Sequence, residues 1–205
     1  MKQWRERYPY EWYFAVSGAV ALAISPWVPS IPFSGAFTAW SSWIGEPLLG
    51  WSLVAQYDEA LAAFLPLFGA AFLGYPLLTL CSRVLDASKS LVWVARTAVA
   101  LMFILAGMTA VDAITDLGEL YVFSQIVGGC AIGVLLLTFG VQLTMRYPLS
   151  SRIRLLAVIL VAAGVCIATF VLLPAGLLVL CVAYIVLTII LASRQTVHTP
   201  RAGRG

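Results

Sequence analysis

The sequence predicts an all-α, polytopic integral membrane protein with six transmembrane helices and both termini on the cytoplasmic side. Three observations predict it. Of 205 residues, 62% are hydrophobic and 10% charged, whereas soluble domains carry about 25% charged residues. Six apolar runs occupy most of the length, so the chain reads as one membrane domain, 1–205. Every Lys and Arg falls in the two ends of the chain or in or beside alternate connections between those runs.

No soluble fold of this size buries so much apolar surface, so lipid is the missing solvent. The net charge of +3 is not a nucleic-acid footprint. The basic residues form short clusters between apolar runs rather than one stripe or stretch. Cys81, Cys130, Cys166 and Cys181 show no CxxC spacing, and the last three sit within apolar runs, where cysteine behaves as a small hydrophobe.

The runs are 12–28, 60–80, 91–111, 121–143, 155–173 and 176–191. At about 1.5 Å of rise per residue, each covers much or all of a hydrocarbon core of about 30 Å. They lack the alternation of a membrane β-strand, and in lipid only a helix satisfies their backbone within each segment.

The first run follows Lys2, Arg5 and Arg7. A cleavable signal peptide over 1–23 competes with a retained helix, because Ala21-Leu22-Ala23 matches the pattern of a cleavage site. Glu6 and Glu11 dilute the basic start, and the apolar run continues to Val28, which favours a retained helix.

The outer loop, 29–57, is the longest connection. Trp40, Trp43 and Trp51 lie in it beside Trp27, and indole rings favour the headgroup level. Phe37, Trp40, Ile44 and Leu48 recur at helical spacing, which predicts a short amphipathic helix anchored in the outer interface. An aromatic lid over a ligand site is the alternative.

The second run carries Pro66, Gly69, Gly74 and Pro76. Such interruptions accompany unwound transport sites, but they are also ordinary in membrane helices. In the third run, Arg96 lies five residues beyond Leu91, so its side chain reaches back to the cytoplasmic headgroups by snorkelling. Asp112, Asp116 and Glu119 follow at i, i+4 and i+7. If the helix continues, the three carboxylates share a face and form a candidate cation site, aided by Asp58 and Glu59. The plainer reading is a solvated acidic turn.

In the fourth run, Gly129 and Gly133 make a GxxxG, which allows close helix packing, with a partner in the same chain or by self-association with another. Gln125 and Gln142 read as interhelical hydrogen-bonding groups. The stretch 155–191 would make one helix of about 55 Å, far longer than a bilayer requires. Pro174-Ala175-Gly176 supplies turn chemistry for a tight hairpin.

Orientation follows from the basic residues. Lys2, Arg5 and Arg7 precede the first run. Arg83, Lys89 and Arg96 surround the second connection on that side. Arg146, Arg152 and Arg154 lie between the fourth and fifth runs, and Arg194, Arg201 and Arg204 follow the sixth. These are all twelve basic residues, and an even number of spans puts them on one face, the cytoplasmic one by the positive-inside rule. Glu46, Asp58, Glu59, Asp112, Asp116 and Glu119 fall on the other.

The single histidine, His198, leaves no pair for a haem and no base for Ser–His catalysis. Walker and dinucleotide motifs are absent. Neither a cofactor nor an enzymatic activity is expected.

Ser41-Ser42-Trp43-Ile44-Gly45 before the second run, and Asp116-Leu117-Gly118-Glu119 leading into the fourth, resemble segments of six-span membrane families of the Frag/DRAM/Sfk type. The resemblance covers most of the chain in architecture and implies six spans, with no activity or functional residue attached. A non-enzymatic plasma-membrane protein that binds lipids or a membrane-protein partner, as a scaffold or accessory subunit, is therefore expected. A small-solute or cation transporter using the acidic outer face is the alternative.

Overall fold

The computed structural model describes residues 11–25, 28, 31–43, 59–85, 88–115, 117–146 and 150–193. The described residues are all-α, without strands. The helices are α1 (Glu11–Ile24), α2 (Ser34–Trp43), α3 (Glu59–Thr79), α4 (Lys89–Thr115), α5 (Glu119–Arg146), α6 (Ser151–Ala168) and α7 (Leu173–Ala192), and a π turn, Leu80–Val84, extends α3. Five of them, α3 to α7, are long and apolar enough to cross a membrane, as a multi-pass membrane protein requires. The apolar helix α1 has 14 residues and spans about 21 Å.

The five long apolar helices and α1 close into a ring. Each packs on the next in the order α1, α3, α4, α5, α6, α7, and α7 returns to α1. Antiparallel packing is explicit at several seams. Gly18 and Ala19 of α1 meet Tyr184 and Cys181 of α7 in reversed order. Phe14 packs on Tyr75, and Gly18 lies against Phe72. The interior is filled by side chains such as Leu73, Met102, Leu136, Leu160, Leu180 and Leu187, each at most 1% exposed.

The closest seam joins α5 to α6. A Cβ on Gly164 would lie 2.5 Å from the Leu137 nitrogen and 2.7 Å from the Gly133 carbonyl oxygen. Gly133 in turn faces the backbone of Ile167 and Ala168. Glycine removes the side chains that would otherwise hold the two backbones apart, so dispersion contacts replace the missing hydrophobic drive between helices in lipid. Gly133 of the GxxxG thus packs within the chain, against α6. Gly129 is buried beside Ala36 and Phe33, at the start of α2.

The α6–α7 hairpin differs from the sequence expectation. Its turn lies at 169–172, ahead of Pro174-Ala175-Gly176. Phe170 takes a left-handed φ of 55°, and its N–H donates to the Ile167 carbonyl at 3.1 Å, closing α6 as a glycine more often does. Pro174 sits in the first turn of α7, where its missing N–H leaves no helical bond unmade. Gly176 brings α7 against Ile167.

The prolines of α3 are accommodated by neighbouring helices. Pro76 has no N–H for the Phe72 carbonyl four residues earlier, and the Gly18 backbone packs against that oxygen, which a Cβ there would approach to 2.9 Å. The adjoining Leu73 carbonyl accepts a hydrogen bond from the Tyr184 hydroxyl, on a side chain only 1% exposed.

Two glycine substitutions test the seam. Gly164→Ala overpacks the backbone contact and should cost about 1–3 kcal/mol. Gly107→Ala meets nothing within 4 Å and should gain about 0.5–1 kcal/mol through helix propensity. Denaturation in mild detergent measures both, and equal effects would contradict the packing described.

Candidate functional site

Helix α2 lies where α4 and α5 outreach the α6–α7 turn. Gly133, the fifteenth residue of α5, is level with Ala168 at the end of α6. The first three turns or so of α5 therefore stand beyond the hairpin, and the chain entering α2 fills that space. Ile31, Phe33 and Ala36 are fully buried, and Phe37 stacks on Trp40 at 5.8 Å. The expected helix through Phe37 and Trp40 is thus present, with its apolar face turned into the bundle. Ile44 and Leu48 lie outside the described residues.

Trp40 binds the turn beneath it. Its indole N–H donates to the Val171 carbonyl at 3.0 Å, an oxygen in the non-helical link between α6 and α7. Of the other anticipated interfacial anchors, Trp43 ends α2, and Trp27 and Trp51 lie outside the described residues.

Below α2, a buried polar cluster ties α4 to α5. Gln125 is 0% exposed and donates through Nε2 to the Leu105 carbonyl at 3.0 Å and to Thr109 Oγ1 at 3.3 Å. Thr109 Oγ1 also lies 3.3 Å from the Tyr121 hydroxyl. A Cβ on Gly35 would come within 2.6 Å of that hydroxyl and 2.7 Å of Gln125 Cγ, so glycine is what lets α2 sit on the cluster. Gln125 is therefore an interhelical hydrogen-bonding group, as its position suggests. The buried Gln142 Oε1 has no hydrogen-bond partner among the described residues.

Asp112 and Glu119 do not lie on one continuous helix. α4 ends at Thr115 and α5 begins at Glu119, with Gly118 at φ 57° between them. The condition for a shared face, an uninterrupted helix, is not met, because a left-handed residue reverses the chain. Asp112 Oδ1 accepts the Leu117 N–H at 2.8 Å and so closes the turn after α4. Glu119 is exposed in the first turn of α5, where a carboxylate complements the helix dipole. Asp116 lies outside the described residues. Among the described residues, no three metal-ligating side chains cluster. Arg96 is exposed on the outside of the ring, the placement that snorkelling requires.

A groove between α1 and α7 is the feature that sequence reasoning missed. It has a volume of about 330 Å³. Ala19 and Cys181 form its floor, and Val16, Val20, Ile185 and Ile189 form its walls. The floor lies low because these side chains are small, whereas Val20 and Ile189 are each 51% exposed and stand up as rims. Its polar groups are already paired. The Cys181 thiol donates to the Ala19 carbonyl at 3.4 Å, and the Thr188 hydroxyl donates to the Tyr184 carbonyl at 2.8 Å. What the groove offers is hydrocarbon contact. The helical spacing of its residues resembles any lipid-facing stripe, so only the pairing of α1 with α7 reveals it.

No protein-family model, curated protein or solved structure matches the chain.

Two substitutions test this outer layer. Trp40→Phe keeps the ring and loses the bond to Val171, and should cost about 1 kcal/mol. Asp112→Ala should cost a similar amount by opening the turn, while Asp112→Asn keeps an acceptor and most of the stability. Thermal unfolding with and without added calcium measures them. A loss at Asp112 that appears only with calcium would favour a cation site over a turn cap.

Proposed function

We propose that this protein is a six-span, non-enzymatic plasma-membrane protein that binds lipid and serves as a scaffold or accessory subunit, with both termini in the cytoplasm. The groove between α1 and α7 carries the reading. It is a concave apolar surface on helices of membrane-crossing character, and its thiol and hydroxyl are already bonded to backbone. Hydrocarbon is the chemistry that such a surface accepts without leaving a polar group unmatched.

The sixth span is α1. Antiparallel packing on both α3 and α7 supports a full crossing, since a closed ring of antiparallel neighbours needs an even number of members. A helix of about 21 Å is accommodated by local thinning of the bilayer or by contributions from the residues around it. Six spans also put all twelve basic residues on one side, which supports cytoplasmic termini. The likeness to Frag/DRAM/Sfk-type families fits this architecture and adds no residue to it.

Transport across the acidic outer face draws less support. Asp112 is engaged by the turn after α4, and Leu73, Met102, Leu136 and Leu160 fill the centre of the ring. The Tyr184 hydroxyl and the Gln125 amide nitrogen are engaged by neighbouring backbone, although the buried Gln125 Oε1 has no partner among the described residues.

Gentle extraction followed by native mass spectrometry tests the reading. Co-purifying lipid or a stoichiometric membrane-protein partner is the expected result. A chain free of both that carries a cation or small solute would overturn it in favour of transport.

A further inference from the structure

The buried cluster between α4 and α5 runs out of hydrogens before it runs out of acceptors. Thr109 donates its one hydroxyl hydrogen to the Leu105 carbonyl at 3.1 Å. In the Thr109–Tyr121 pair, 3.3 Å apart, the Tyr121 hydroxyl is therefore the donor, since a hydroxyl has one hydrogen to give. Ser34, which hydrogen-bonds Tyr121 from α2, donates to that phenol oxygen in turn. The Gln125 amide directs one hydrogen to the Leu105 carbonyl and the other to Thr109 Oγ1. Each of these hydrogens passes toward the Leu105 carbonyl.

Gln125 Oε1 is left over. It is buried, on a side chain 0% exposed, and has no hydrogen-bond partner among the described residues. Turning the amide over does not help, because Oε1 would then meet the Leu105 carbonyl, acceptor against acceptor. Without a donor, an amide oxygen loses far more in hydrocarbon than in water. The donor it calls for is therefore supplied from outside the cluster.

Charge, size and access define that donor. A buried cation needs a counter-charge beside it, and Asp112, one turn beyond Thr109 on α4, caps the Leu117 N–H instead. The donor is therefore neutral. A Cβ on Gly35 would come within 2.6 Å of the Tyr121 hydroxyl and 2.7 Å of Gln125 Cγ, so nothing with a carbon skeleton enters while α2 is seated. Gln125 lies six residues into α5, about 9 Å from its start, near the end of the bundle that α2 covers. The path for a small molecule is short.

We infer that the Gln125 amide oxygen holds one buried water molecule beneath α2. A water carries no charge, donates two hydrogens and needs little more room than its oxygen atom. Buried waters typically make about three hydrogen bonds to groups that otherwise go unmatched, and the Tyr121 phenol oxygen lies against the same Gly35 as the Gln125 side chain. The seat of α2 is then a wet joint, in contrast to the apolar ring interior around Leu136 and Phe139. The proposal does not depend on lipid binding in the α1–α7 groove.

Hydroxyl-radical footprinting of the full-length protein in nanodiscs tests it, because an X-ray pulse splits a bound water in place and oxidises the side chains beside it. Leu105 and Phe33 flank the site. The Leu105 carbonyl carries the Gln125 amide, and Phe33 packs by Gly129, one turn along α5. Both are as buried as Leu136 and Phe139, at most 2% exposed. A held water predicts oxidation of Leu105 and Phe33 roughly fivefold or more above Leu136 and Phe139. Gln125→Met removes the acceptor and should bring Leu105 and Phe33 down to the level of the other pair. Circular-dichroism melting checks that the variant is folded, and the comparison within the natural chain stands without it. Equal oxidation of the two pairs in the natural chain would overturn the inference. So would enhanced oxidation that persists in the folded Gln125→Met variant, since water would then reach the site without being held by Gln125.

Discussion

Hydrocarbon contains no hydrogen-bond partner, so every backbone polar group within it must be matched by the chain itself. The structure turns on how that is achieved where helices are interrupted. Along α3 the interruption is Pro76, and the Gly18 backbone and the Tyr184 hydroxyl approach the carbonyls around it. At the end of α3 the register slips into a π turn, and the Leu85 N–H still reaches the Leu80 carbonyl at 3.0 Å. Between α6 and α7, the Val171 carbonyl finds the Trp40 indole. The π turn is repaired locally, whereas the Tyr184 and Trp40 bonds come from elements distant in sequence and so also fix which helices are neighbours.

Small residues then decide how close those neighbours come. At the α5–α6 seam, glycines bring backbone to backbone and no free volume remains. At the α1–α7 seam, Gly18 receives the Tyr184 ring on the inner side, but alanine, cysteine and threonine leave the outer side under-filled. One chemical device, a short side chain, thus yields a tight joint in one place and a lipid-facing groove in another. The difference lies in whether the opposing backbone is near enough to occupy the space.

Much of the architecture is legible from hydropathy and charge. The five longest helices fall on the expected runs, and Phe37 and Trp40 mark α2. Where hydropathy and structure part, the groups concerned take their meaning from context. Pro174 signals a turn by composition, but it starts α7, because the turn is made by Phe170 in a conformation for which phenylalanine gives no signal. Asp112, Asp116 and Glu119 keep helical spacing across a sequence that folds as a break at Gly118. The GxxxG at Gly129 and Gly133 announces close packing but not the partner, which is α2 for one glycine and α6 for the other. The groove was not legible at all, since it belongs to two helices at opposite ends of the chain.

The proposed arrangement is a ring of six antiparallel crossings with all the basic segments on one side. Single cysteines at Ser42 and Ser151, in a background with the four native cysteines replaced by alanine, report on it through labelling by an impermeant maleimide in sealed inside-out and right-side-out vesicles. The account predicts that Ser42→Cys labels from the outside only and Ser151→Cys from the cytoplasmic side only. Labelling of both from the same side would contradict the six-span arrangement and, with it, the shared basic face.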